Sequence, residues 1–169
     1  GGDKLIASYS EERHPIFKET GEDFIATRIR QDAEFFKRYN PEKNLQEFSV
    51  EWEKKKTGTS KLATAYEPHY EGSSVVYGPP NGKCSAHGEH LFEARSGHHL
   101  APIELSTGQN VFECIGNDFC LIALDGDEKK IKEIENEGNA MKMPIRIIKD
   151  GYSEDRLAFK AKYIFVRPD

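Results

Sequence analysis

The sequence is short of cysteine, of long apolar runs and of any excess of positive charge, and each shortage closes off a class of function. Its three cysteines, Cys84, Cys114 and Cys120, cannot all pair with one another, and no Asn-x-Ser/Thr acceptor occurs. A disulfide-stapled secreted domain is therefore not expected, and a reducing cytoplasm is. No apolar run nears the ~20 residues of a membrane-spanning helix, and no charged-then-apolar leader opens these residues. The 24 Lys and Arg are outnumbered by 29 Asp and Glu, and no basic stripe is interleaved with aromatics, so nucleic acid and anionic membranes are poor partners. Catalytic signatures are missing as well. No G-x-G-x-x-G follows a strand pattern, no Walker-type loop is present, and neither a G-x-S-x-G elbow nor an H-E-x-x-H helix occurs. The residues alone make no case for catalysis, and no catalytic, cofactor-binding or metal-binding residue is assigned from them.

What is present is a polar chain with a small apolar heart. Hydrophobic residues make up 37% and charged residues 31%, so the core must be modest and much of the helical surface solvated. The length suits one ordinary domain, or one small domain with an appendage, and the composition suits a piece that leans on something else. Asp3 caps a first helix carrying Leu5, Ile6 and Tyr9, which Glu12, Arg13 and His14 end before Pro15. A second helix runs from Pro15 to about Tyr39, with Phe17, Thr20, Phe24 and Arg28 on one stripe and Ile25, Ile29, Asp32 and Phe36 on its neighbour. Asn40-Pro41 breaks it. A third helix from Pro41 to about Lys56 repeats Leu45, Phe48 and Trp52 at helical spacing, and Thr57-Gly58-Thr59-Ser60 closes this helical arm. Glu67 to Gly82, rich in Pro, Gly and Ser, reads as a long surface connection with one strand candidate at Val75 to Tyr77.

The most apolar stretch lies between Ser96 and Asp125. Within it Phe119 to Leu124 runs without a polar interruption between two turn signals, the pattern of a strand covered on both faces. Asp127 caps a helix from Glu128 to about Gly138, and strands follow at Ile145 to Ile148 and Tyr163 to Val166. Strand, helix, strand at that spacing predicts a right-handed parallel crossover. Arg167-Pro168-Asp169 then begins a hairpin turn, so the expectation is an α/β domain cut short at its last hairpin, its open strand edge either pairing with a second copy or lying under the helical arm packed across the small domain.

Three constellations invite chemistry. Cys84, His87 and His90, followed by His98 and His99, have the ligand types of a zinc site but not the paired-knuckle spacing, and solvated loop histidines are the plainer reading. Cys114 and Cys120 have five residues between them, not the two of a redox motif, and Cys120 falls inside the apolar run. Ser8, Tyr9, Glu12 and Arg13 resemble an acid beside a cation, yet on a helix they more simply serve packing or an ion pair, with His14 a junction residue.

Three motifs, in order, resemble the C-terminal end of the FAD-dependent aromatic hydroxylases, the phenol hydroxylase-like flavoprotein monooxygenases. Gly2 to Pro15 is similar to the helix bearing that family's S-Y-x-x-E-R-x-P signature, here Ser8, Tyr9, Glu12, Arg13 and Pro15. Gly97-His98-His99-Leu100-Ala101-Pro102, then Leu105, Gly108, Phe112, Gly116 and Phe119 to Ile122, resembles its G-x-R-x-P-H passage and the apolar segment after it, with His99 where Arg is usual and Ile103 where His is usual. Tyr163 to Asp169 resembles the strand and R-P-D turn entering the last hairpin. The resemblance implies residues 1–60 as the helical tail of the FAD and substrate region, 61–106 as an extended connection, and 107–169 as an incomplete thioredoxin-like domain lacking a redox Cys-x-x-Cys. It implies a parent enzyme that uses FAD, NAD(P)H and O2 to hydroxylate an aromatic ring, with no cofactor on this fragment and no activity from it alone. Its partners would then be the remainder of the flavoprotein and a second copy of itself. The alternative from a different class is a stand-alone thioredoxin-like interaction module.

Overall fold

In the computed structural model, which describes residues 2–152 and 154–168, helix α1 (Gly2–Glu19) runs through Pro15 instead of stopping before it. Proline there forfeits one backbone hydrogen bond, but the turns on either side are held from outside the helix. Ser8, Glu12 and Ile16, spaced four apart, are buried on one face. Ser73 Oγ donates to Glu12 Oε1 at 2.6 Å, and Ser85 Oγ and the Ala86 amide donate to Glu19 Oε2 at 2.6 and 2.7 Å. A π-helical turn, Thr20–Ala26, then joins α1 to α2 (Thr27–Arg38), so the two expected helices form one interrupted helical run.

Helix α3 (Leu45–Thr64) begins later and ends later than its pattern suggested. Asn44 caps it, accepting from the Glu47 amide and donating to the Glu47 carboxylate, each at 3.1 Å. It continues through Thr57-Gly58-Thr59-Ser60, because glycine and threonine are weak helix formers but not breakers. Helices α2 and α3 meet through Phe35, Phe36, Phe48 and Trp52, whose ring centroids lie 5.6 to 6.4 Å apart, and through an ion pair between Lys55 and Asp32.

Part of the supposed surface connection is a two-stranded antiparallel ribbon of β1 (Tyr66–Tyr70) and β2 (Cys84–His87), with an irregularity between Tyr66 and His69. Val75 to Tyr77 is not a strand, and Tyr77 is fully exposed. Strand β1 escaped the pattern because its buried residues are Glu67 and His69, the reverse of the usual apolar-inward alternation. These elements, up to His90 and with Ser96–His98, make one unit.

The other unit comprises Leu91–Arg95 and the residues from His99 onward. At its centre β3 (Phe119–Leu124) pairs in parallel with β4 (Ile145–Asp150), Phe119 opposite Ile145, and antiparallel with β5 (Tyr163–Val166), Ile122 opposite Ile164. From Cys120 to Leu124 every residue of β3 is buried, as a strand covered on both faces requires. Helix α5 (Glu128–Ala140) joins β3 to β4, its Asp127 cap accepting from the Lys129 and Lys130 amides. A short helix α4 (Val111–Ile115) starts in a capping box between Asn110 and Glu113. The core gathers Val111, Cys120, Ile122 and Leu124 with Phe159. Phe159 ends a 3-10 helix, Glu154–Phe159, that no periodic pattern announced. The mixed α/β character expected from the sequence is the character that forms.

Candidate functional site

The most enclosed group of titratable side chains is set by β1. Glu67, His69 and Glu71 recur every second residue, so an extended backbone carries all three toward one side. Opposite them comes His98, delivered by Gly97. That glycine stands at φ +82°, where its carbonyl accepts from the Tyr70 amide at 2.7 Å, and a Cβ there would meet the Tyr70 carbonyl carbon and the Glu71 nitrogen at 2.7 Å. Only glycine fits without strain.

His98 is consequently held at both ring nitrogens. Nδ1 lies 3.0 Å from Glu67 Oε1 and Nε2 lies 2.8 Å from Glu71 Oε1. The His98 and Glu67 side chains are 3% and 5% exposed, Glu71 25%. His69 stacks on His98 with ring centroids 4.6 Å apart and planes 9° from parallel. Its Nε2 lies 3.1 Å from the His87 carbonyl oxygen, while its buried Nδ1 has no hydrogen-bond partner. Donor atoms of His69, Glu71 and His98 all lie within 4.8 Å of one another, the one such trio of metal-ligating side chains among the described residues.

The residues singled out from sequence are placed differently. Cys84 and His87 stand at opposite ends of β2; His87 Nε2 contacts Asp23 Oδ2 at 2.8 Å and its ring lies against Phe24, while His90 is exposed. Burial pushes the Cys84 thiol above its ordinary pKa, against a backbone hydrogen bond at Gly72. Cys120 is buried in β3, and burial drives its pKa up to about 11, with Arg146 opposing. Neither environment favours a thiolate at neutral pH. Glu12 is buried against Ser73, and the Arg13 guanidinium lies over the Tyr9 and Tyr70 rings at 5.7 and 5.2 Å, a packing arrangement. His14 and His99 are exposed. Of the residues picked out at the start, His98 alone joins the enclosed group. Glu67, His69 and Glu71 went unnoticed, and the signal that would have found them is their period of two within a Pro- and Tyr-rich segment.

A second buried charge lies in the β3-centred unit. Asp150, at the end of β4, accepts from the Ser106 and Gly151 amides at 2.9 and 2.7 Å and sits 3.4 Å from Arg156 Nε. Arg156 in turn donates to the carbonyls of Gly151 and Glu104 at 2.6 and 3.2 Å. Burial raises the Asp150 pKa, but the Ser106 and Gly151 hydrogen bonds and the Arg156 charge outweigh it, and the carboxyl titrates below its ordinary range. This pair ties the 3-10 helix to the sheet.

No protein-family model matches the chain, and no curated protein matches it by sequence. Solved structures do. The rebeccamycin biosynthetic enzyme RebC with reduced flavin aligns at a TM-score of 0.71 and 18% identity, over 98% of this chain and 32% of that one. This chain is folded like part of RebC. Native and ligand-bound RebC-10x aligns at a TM-score of 0.73 and 20% identity, over 97% of this chain and 32% of its own. The chain thus spans about a third of the length of these RebC structures. At such identity the likeness is one of fold. Among the described residues no helix is long and apolar enough to cross a membrane.

Proposed function

We propose that this chain is the C-terminal portion of a FAD-dependent monooxygenase that hydroxylates an aromatic substrate with NAD(P)H and O2 in the cytoplasm, and that these residues serve it structurally. The observation that carries the reading is the RebC-like fold running through 98% of the chain while covering 32% of the RebC chain, together with three motifs of the hydroxylase family in their proper order. On this reading residues 1–60 are the helical tail of the FAD and substrate region, 61–106 the connection, and 107–169 a thioredoxin-like domain without a redox pair. FAD supplies the oxygen chemistry in such enzymes, and protein supplies positioning and exclusion of water. The FAD and NAD(P)H sites belong to the remainder of the flavoprotein, which is also the principal partner.

The test is a titration of the purified chain with FAD, followed by flavin fluorescence. No saturable binding is expected; saturable binding to these residues alone overturns the proposal in this form. Coding sequence on the N-terminal side that includes a flavin phosphate loop would support it. An open reading frame confined to these residues would favour the stand-alone interaction module instead.

A further inference from the structure

We propose that His69, Glu71 and His98 form a site for a divalent transition-metal ion, zinc being the best match, with Glu67 as the outer partner that orients His98. The inference rests on proton bookkeeping and is independent of the flavoprotein reading. A neutral imidazole donates from one nitrogen and accepts at the other. His69 Nε2 faces a carbonyl oxygen, which only accepts, so its proton sits there and the lone pair falls on Nδ1, buried and without a partner. His98 faces a carboxylate at each nitrogen, the buried Glu67 at Nδ1 and the more exposed Glu71 at Nε2, 2.8 Å from Oε1; in the tautomer that keeps its proton on the Glu67 side, the second lone pair falls on Nε2.

A lone pair aimed at a carboxylate needs a cation between them. A proton satisfies His98 and Glu71 but leaves His69 Nδ1 with nothing. One divalent ion satisfies all three. The outer contacts are those that metal-binding histidines use: one ring N–H held by a carboxylate, the other by a backbone carbonyl, each fixing the tautomer that points a lone pair inward. Two imidazoles and a carboxylate suit zinc, which has no electronic preference of geometry and takes nitrogen and oxygen donors at about 2.0–2.2 Å. Binding draws the donors together from their spread of up to 4.8 Å and tilts one ring out of the stack. The proton between His98 and Glu71 is released to solvent as the metal bonds to Nε2 and Oε1 form.

The experiment is a titration of chelator-treated chain with Co2+, read by visible absorption, and then displacement by Zn2+, read by calorimetry in two buffers of different ionisation enthalpy. Expected are one ion per chain, about one proton released per ion, and a rise in melting temperature with Zn2+. His69→Gln and Glu71→Gln should each weaken binding by about 100-fold, and Glu67→Gln by about 10- to 100-fold. Cys84→Ser and His90→Asn should leave it unchanged. Trp52 fluorescence, which reports this unit, checks that each variant is folded. Absence of stoichiometric binding overturns the proposal. So does binding that survives in folded His69→Gln and Glu71→Gln, or binding lost on removing Cys84 or His90.

Discussion

Gly97 stands at φ +82° with the β1 backbone so close that a side chain has nowhere to go. Gly97→Ala should therefore destabilise its unit by about 1–3 kcal/mol, read as a lower urea midpoint of Trp52 fluorescence; an unchanged midpoint would mean that the loop does not need its glycine. Asp150 offers a pH test in the other unit. Its folded pKa lies below the ordinary value, so its contribution is fully present above the unfolded pKa and is lost as pH falls through the lower folded value. Acid should loosen β3 and β4, followed by amide exchange as pH falls below about 4. Asp150→Asn should remove most of that acid dependence and cost about 3 kcal/mol at neutral pH, because Arg156 stays buried without its counter-charge. If the variant showed the same acid profile, another carboxylate would be responsible. The two buried acids that matter most, Glu67 and Asp150, could not be distinguished by sequence from the exposed ones around them; their roles come from partners 31 and 44 residues away in His98 and Ser106.

At the scale of elements, the segments that local pattern describes well are those whose order is set locally. Asp127 caps α5 through two amides, at 2.7 and 3.3 Å, and its own amide donates to Tyr163 Oη at 2.6 Å. Asp127→Ala should cost about 1 kcal/mol and Asp127→Ser should recover most of it, measured by thermal unfolding of the second unit's helical and strand signal. Strand β3 was legible because an unbroken apolar run between turn residues has few other uses. The arm was less so. Pro15 marks a helix boundary in isolation, yet α1 passes through it because contacts from Ser73, Ser85 and Ala86 fix the acids on either side. Strand β1 was hidden by its polar inner face, and the 3-10 helix by its lack of any period: Phe159 seats it in the core and the buried Arg156 ties it to Asp150.

For the whole molecule, β5 is the informative feature. It pairs with β3 along one side, and among the described residues no strand pairs with its other side, where Phe165 is half exposed. Self-association through that edge is proposed, with a second copy supplying a partner strand. Sedimentation should show concentration-dependent dimers that Phe165→Lys disperses; a monodisperse monomer across the accessible range would count against it. The sequence by itself determined the α/β character, the central strand and the capped helix that follows it, because apolar period and capping residues are local. Tertiary structure alone decided that α1 ignores its proline, that β1 exists, and that His98 meets His69 between Glu67 and Glu71. Those outcomes depend on which distant groups satisfy buried charges and hydrogen bonds, and no local pattern encodes a partner so far along the chain.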